Sequence, residues 1–381
     1  MIDTICLQIP MGNVIYLDRD NKTISDWDLQ ARTEQYQKFI KNPSKQDKES
    51  GLYFPRLTTY TRRGSEPTLK VEFSAPKLLF LNNVQELSDS DFEHVVNALQ
   101  DRLKRMGLSV FKKDIIEAQV SAVHYSKNIL LSNGYTAGHL ISELGKIDLR
   151  KTFDFARARY INDGQSLCAH TSSHELIIYD KVADLKKNRK RAIDKDQTSN
   201  QLSLFHQIKS QKQLIEILRF EIRLCKKQKM NSVLQILGFN INPSFEQIFS
   251  RAISQKVLWY YWDGIVRAQN VGLFMLEMTQ KDLLREITRR NPRISPKQAI
   301  YLTGLILLAR DGNGLRELRG IVCRETKDRT WSRIKKEYTH LMEQISINKT
   351  RDWIHQIENA FKEYKPLTEP YDGTRISTEA S

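Results

Sequence analysis

Residues 160–181, YINDGQSLCAHTSSHELIIYDK, decide the fold. Asn162-Asp163-Gly164 is a turn signal between two strand-like arms. The second arm, HELIIYDK, has an apolar centre and then presents Tyr179, Asp180 and Lys181. Residues two apart on a strand share a face, so Tyr179 and Lys181 point the same way. A basic run follows at once: Lys186, Lys187, Arg189, Lys190 and Arg191. A hairpin ending in a tyrosine, a lysine and a basic cluster is therefore expected at the centre of the molecule.

Strand period appears on both sides of this hairpin. In residues 4–9, Ile5, Leu7 and Ile9 alternate, and a short strand at 14–17 follows the turn Met11-Gly12-Asn13. Residues 18–50 are polar and read as loop or surface helix. Residues 52–61 and 69–74 form a second hairpin around Arg62-Arg63-Gly64-Ser65, with Val71 and Phe73 on one face and Lys70, Glu72 and Ser74 on the other. Residues 90–106 are the clearest helix, opened by a Ser90/Glu93 capping box. Residues 114–124 return to strand period, with Ile116, Ala118, Val120, Ala122 and His124 on one face. Residues 137–160 hold a helix and the lead into the central hairpin. In 214–224 Phe220, Ile222 and Leu224 face one way and Arg219, Glu221 and Arg223 the other.

From Phe245 to about Glu343 the pattern is helical. Helices at 297–310, 315–323 and 329–342, the last basic, suggest a helix-turn-helix or a plain bundle with a solvated basic face. On the last helix Trp331, Arg333, Lys335 and Lys336 are candidate DNA contacts. After Lys365 the tail is polar. The expected fold class is α+β: an antiparallel sheet domain flanked by helices at 1–235, an all-α domain at 245–345, and a flexible tail at 365–381.

The chain has 381 residues, a net charge of +15 and a sequence pI near 9.5. Clustered positive charge of this size points to a polyanion, usually nucleic acid. Cys6, Cys168, Cys225 and Cys323 lie far apart without a CxxC pair, which argues against a zinc ribbon and a disulfide framework. The first residues do not read as a signal peptide, and the most apolar run, 301–309, is too short to span a bilayer. A cytoplasmic protein with no membrane partner is expected. Phosphate-binding glycine loops, GxSxG and HExxH are absent from the sequence.

One residue of suitable type for cutting a phosphodiester lies in each of four strands: Glu72, His124, Tyr179 and Glu221. Tyr179 is the candidate nucleophile and Lys181 the group that lowers its pKa or holds the phosphate. Two carboxylates and a histidine suit one Mg²⁺ or Mn²⁺. Each has a plainer reading: Glu72 as a solvent-facing strand residue, His124 as a packed core histidine, and Arg219-Glu221-Arg223 as a salt-bridge ladder. Lys186, Lys187, Arg189, Arg219 and Arg223 are the candidate phosphate contacts near the site.

Four stretches resemble the gene II replication initiator family of filamentous phages and the related initiators of rolling-circle plasmids. They are MIDTICLQIP, KVEFSAPKLL (Glu72, Pro76, Lys77), TSSHELIIYDKVADL (Tyr179, Lys181) and LRFEIRLCKK (Arg219, Glu221, Arg223), in the family's order. The likeness covers roughly the first two-thirds of the chain. One departure is SAVHYSKN, where His124 stands in place of the family's aspartate. The resemblance implies an origin-specific nickase that joins Tyr179 to a 5′ phosphate and leaves a 3′ hydroxyl for a host polymerase. It later rejoins the displaced single strand. It also implies that Glu72, His124 and Glu221 converge on Mg²⁺ or Mn²⁺, and that double-stranded origin DNA and a host helicase are partners inside a bacterial cell. Alternatives are a conjugative relaxase of the same chemistry and a non-enzymatic DNA-binding repressor with Tyr179 structural.

Overall fold

The computed structural model describes residues 1–17, 27–44, 47, 50–147, 157–161, 164–186, 216–267, 279–312, 314–322, 330–336 and 352–367. Its strands are β1 (Ile2–Pro10), β2 (Val14–Tyr16), β3 (Asp28–Arg32), β4 (Tyr36–Lys41), β5 (Arg56–Arg62), β6 (Thr68–Ser74), β7 (Leu108–Val110), β8 (Gln119–Leu130), β9 (Arg157–Ile161), β10 (Ser166–His170), β11 (His174–Asp180) and β12 (Ile217–Leu224). Ten of them form one antiparallel sheet in the order β3-β4-β5-β6-β1-β8-β12-β11-β10-β9, while β2 pairs with β7. The helices are α1 (Ala75–Phe80), α2 (Phe92–Arg105), α3 (Lys112–Ile116), α4 (Ala137–Leu144), α5 (Lys181–Lys186), α6 (Lys227–Ile236), α7 (Phe245–Ile248), α8 (Arg251–Trp262), α9 (Gln280–Arg290), α10 (Pro296–Arg310), α11 (Gly314–Val322), α12 (residues 330–336) and α13 (Asp352–Glu363). The fold class is α+β, as expected.

One face of the sheet is apolar because its strands alternate. Ile5, Leu7, Val71, Phe73, Ile222 and Leu224 are fully buried under the helices. Val95, Val96, Leu99 and Leu103 recur at helical spacing on α2 and seal one side. The cap of this region lies two residues before the expected one. Ser88 and Asp91 form it, with Ser88 N donating to Asp91 Oδ2 at 2.7 Å. The turn expected at 62–65 is present, with Gly64 at φ +74°.

Four features differ from expectation. Residues 28–41 are a hairpin, β3 and β4, rather than loop or helix. It is an edge hairpin in which Ile40 alone is fully buried, so its alternation carries little apolar signal. Residues 112–116 are helical, and β8 begins only at Gln119. The sheet's helical cover crosses the boundary expected at 235–245. Phe245 sits edge-on to Phe73 and Phe92, and Trp262 of α8 meets Phe220 at 6.0 Å. The tail expected from 365 is docked as far as Leu367, whose carbonyl accepts from Glu86 N at 2.8 Å and whose N–H donates to Glu86 Oε2 at 3.0 Å. Residues 368–381 lie outside the described set. The helices α9, α10 and α11 pack in sequence and supply the described part of the all-α region.

Candidate active site on the polar face of the sheet

The opposite face of the sheet is where the chemistry gathers. Strand register places Thr4, His124, Arg223 and Glu175 in one row, Ser126 and Glu221 in the next, and Asn128, Arg219 and Tyr179 in a third. Each row runs across neighbouring strands on a single face. Two bulges make this possible. Between Ile2 and Thr4 the extra residue is Asp3 on β1, and between Cys6 and Leu7 it is Ser121 on β8. The second bulge overturns the expectation that His124 continues the face of Val120. Val120 lies on the core side, and His124 stands with Ser126 and Asn128 on the polar side.

Arg219 is the hub. It is 1% exposed, and its Nη2 lies 2.6 Å from Asp3 Oδ1. Its Nη1 donates to the Asn83 carbonyl at 2.7 Å and to Asn128 Oδ1 at 3.2 Å, and its Nε lies 3.5 Å from Glu221 Oε2. An arginine this enclosed meets its neighbours and not a strand at the surface, so the expectation of a direct DNA contact is corrected. Its register partner is Tyr179, and its charge acts there. Burial works against the Asp3 carboxylate, yet Arg219, with Lys181 and His124, holds the carboxyl at about 2.

Tyr179 is partly buried at the end of β11. Burial pushes its phenol well above the ordinary value, and Arg219 pulls the other way. Lys181 is fully buried at the first position of α5, with its Nζ 5.6 Å from the Tyr179 ring centre. It donates to Asn83 Oδ1 at 2.8 Å and lies 3.5 Å from Asp184. Burial and then Arg219 lower its pKa to about 8. The placement follows from packing. Val182 and Leu185 anchor α5 on Val84 and Ile217, which turns Lys181 inward under the helix. Asn83 thus joins Lys181 and Arg219 through one residue of a loop. Neither Asn83 nor Asp3 is singled out by sequence pattern as a site residue, because a loop contact and a bulge have no residue-type signature.

A cleft of about 410 Å³ opens on this face. Asp3, Glu72, His124, Arg223, Lys77 and Arg56 are among its walls. His124 is held neutral by burial first, against the pull of Glu221. Glu72 is kept charged by Lys70 at 3.2 Å, although burial opposes it. Glu221 Oε1 accepts from Arg223 Nε at 2.7 Å and lies 3.9 Å from His124 Nδ1. The expected metal set therefore fits poorly in this arrangement. The Glu221 oxygens face two guanidiniums, and among the described residues no three His, Cys, Asp or Glu side chains gather around one point.

Arg223 is more accessible than Arg219. Its side chain is 35% exposed and lines the cleft while bound to Glu221 and to Glu175 at 3.3 Å. Lys186 ends α5, and Lys187 and Arg189 lie outside the described residues. In α12, Arg333 and Lys336 are exposed and Lys335 is partly buried. Trp331 is 1% exposed, so it is a packing residue, not the aromatic DNA contact expected of it. Among the described residues no helix is long and apolar enough to cross a membrane.

Comparison with known proteins returns no match to a family model, to a curated protein or to a solved structure.

Proposed function

We propose that this chain cuts and rejoins DNA through Tyr179, as an initiator of rolling-circle replication acting at an origin in a bacterial cell. The observation that carries the reading is the meeting of Tyr179, Lys181 and Arg219 beside a cleft walled by Arg56, Lys77 and Arg223. A phenol pushed up by burial is a poor nucleophile until it loses its proton, and Lys181 can exist as a neutral amine near pH 8 to take it. Arg219 favours the phenolate. The phenolate oxygen then attacks phosphorus, forming the tyrosine–phosphate bond as the bond from phosphorus to the 3′ oxygen breaks. The 3′ oxygen takes a proton from solvent and leaves as a hydroxyl while Lys181 keeps the phenol proton, and rejoining reverses each step. Arg223, Arg56 and Lys77 supply positive charge for the phosphate oxygens. Mg²⁺ or Mn²⁺ enters the proposal as a requirement to be tested, although His124, Glu72 and Glu221 do not gather around one point among the described residues. Double-stranded origin DNA, the displaced single strand, a host helicase and a host polymerase are the proposed partners.

The rival reading, a DNA-binding protein without catalysis, is favoured by the burial of the Tyr179 phenol. A nicking assay on supercoiled plasmid carrying the element's own origin separates the two, with Mg²⁺ and then with chelator. Wild type should leave protein on the 5′ end of a metal-dependent nick. Tyr179→Phe should lose nicking by about a thousandfold or more while keeping origin binding. Equal nicking by both forms would remove Tyr179 from the reaction, and origin binding without nicking by either would leave the DNA-binding protein.

A further inference from the structure

The back of the helical layer holds a second site, independent of the reading above. Helix α8 lies on β8 and β12 through Ile253, Val257, Leu258, Tyr261 and Trp262. Its outward side carries Lys256, Trp259, Tyr260 and Asp263 at the three- and four-residue spacing that stacks side chains on one helical face. Trp259 and Tyr260 are half-buried, with one edge against the core and the rest facing a side of the helix that is ordinarily charged or polar. Leu237, after α6, and Phe361 of α13 close the sides and leave a cup of about 330 Å³. Gln255 donates to the carbonyls of Phe361 and Lys362, both at 2.8 Å, so two walls of the cup are tied together.

The surroundings say what would fill it. Leu237, Trp259, Tyr260 and Phe361 make its walls mainly apolar. Two lysines stand at the aromatics. Lys362 Nζ lies 6.0 Å from the Trp259 ring centre and Lys256 Nζ 4.9 Å from that of Phe239. Both lysines are exposed. Asp263 is the one acidic group lining the cup among the described residues. An apolar socket flanked by cations complements an apolar anchor flanked by carboxylates. The socket lies on the helix-covered side of the sheet, away from Tyr179, Arg219 and Arg223, so a strand held at the cleft does not reach it.

We infer that the Trp259 cup docks a partner protein through a segment bearing one aromatic or branched apolar residue between acidic residues. Trp259 supplies the contact surface, and Lys256 and Lys362 select the charge.

The test pans a phage-displayed random-peptide library on the full chain, with counter-selection on Trp259→Ala. Enriched peptides should share an aromatic or branched apolar residue flanked by Asp or Glu. A peptide so selected, labelled and read by fluorescence anisotropy, should bind at least about tenfold more weakly to Trp259→Ala and to the double variant Lys256→Glu/Lys362→Glu. The second variant changes only exposed side chains, so a packing defect at Trp259 does not decide the result. Oligothymidylate should not displace the peptide. No enrichment over the counter-selected variant, enriched peptides without acidic flanks, or indifference to charge reversal would each overturn the proposal. Displacement by oligothymidylate would also overturn it and make the cup a stacking platform for single-stranded nucleic acid.

Discussion

Two buried ionic clusters sit on opposite sides of the central strands, and they have opposite characters. On the helical side, Lys127 Nζ donates to Glu86 Oε2 at 2.5 Å and to the Lys365 carbonyl at 2.7 Å. Glu86 also accepts from the backbone of Asn128 at 2.5 Å and of Leu367 at 3.0 Å. Both side chains are nearly inaccessible. On the polar side, Asp3, Arg219, Glu221 and Arg223 form a chain of comparable ion pairs, but its two ends, Asp3 and Arg223, reach a cleft. The closed cluster is matched group for group and holds segments together. The open one keeps charge at a surface where a ligand can meet it. Burial of charge alone does not mark a functional site.

The closed cluster should be the more costly to break. Lys127→Met leaves Glu86 charged and short of its ammonium, and should cost about 3–5 kcal/mol in urea unfolding. The reactivity of the polar face should be unchanged under native conditions. A loss below about 1 kcal/mol would make the two clusters equivalent.

Asp3→Asn tests the open cluster. With Arg219 losing its carboxylate, nicking should fall about ten- to a hundredfold. Asp3 also carries a pH signature. Its folded value of about 2 lies below the ordinary 3.8, so its contribution to stability is full above about 3.8 and is lost as pH falls toward 2. Acid unfolding of Asp3→Asn should lack that limb, and an unchanged acid profile would break the assignment.

Lys181 sharpens the comparison within the open side. Its folded value of about 8 lies below the ordinary 10.5, so the protonated form costs stability below pH 8. That cost is relieved as pH rises from 8 to 10.5. If the neutral amine takes the phenol proton, nicking should rise about tenfold per pH unit below 8 and level off above it. Lys181→Arg should remove this inflection. An inflection unmoved by the substitution assigns the proton to another group.

The smallest effect concerns charges far from either cluster. Arg333 and Lys336 are exposed on α12. Converting both to alanine should lower the slope of log affinity against log salt for origin DNA by up to about 2, with a modest loss of affinity. An unchanged slope removes this helix from the DNA interface.

Much of the sheet is legible in the sequence where one face is buried. The alternation in β1, β6 and β12 reports their inward residues, and the Arg219-Glu221-Arg223 row reads out correctly because apolar neighbours fix the register. The hairpin β3–β4 is illegible for the same reason reversed, since it buries little on either side. The central hairpin gains a strand. β9 and β10 pair on either side of the segment that holds the expected turn, whose residues 162 and 163 lie outside the described residues, and β10 joins β11 through residues 171–173. At the site, Tyr179 and Lys181 are recognisable as a pair, but the lysine reaches the ring from the start of a helix, not from a strand. Asp3, Asn83 and the orientation of His124 depend on bulges and a long-range loop contact, which local sequence does not encode. Trp331 misleads because aromatic residues among basic ones also occur at the seam of a packed helix.

The strap at residues 364–367 bears on when the protein comes into being. β1, made first, lies between β6 and β8, and β8 then waits for β12, made roughly a hundred residues later. Glu86 and Lys127 complete their hydrogen bonds only with Lys365 and Leu367. A growing chain therefore carries unpaired central strands until β12 is made, and a Glu86–Lys127 pair short of two hydrogen-bond partners until residue 367 is made. The order of manufacture sets a delay: two side chains made in the first third of the chain, Glu86 and Lys127, gain their last partners only once residue 367 exists.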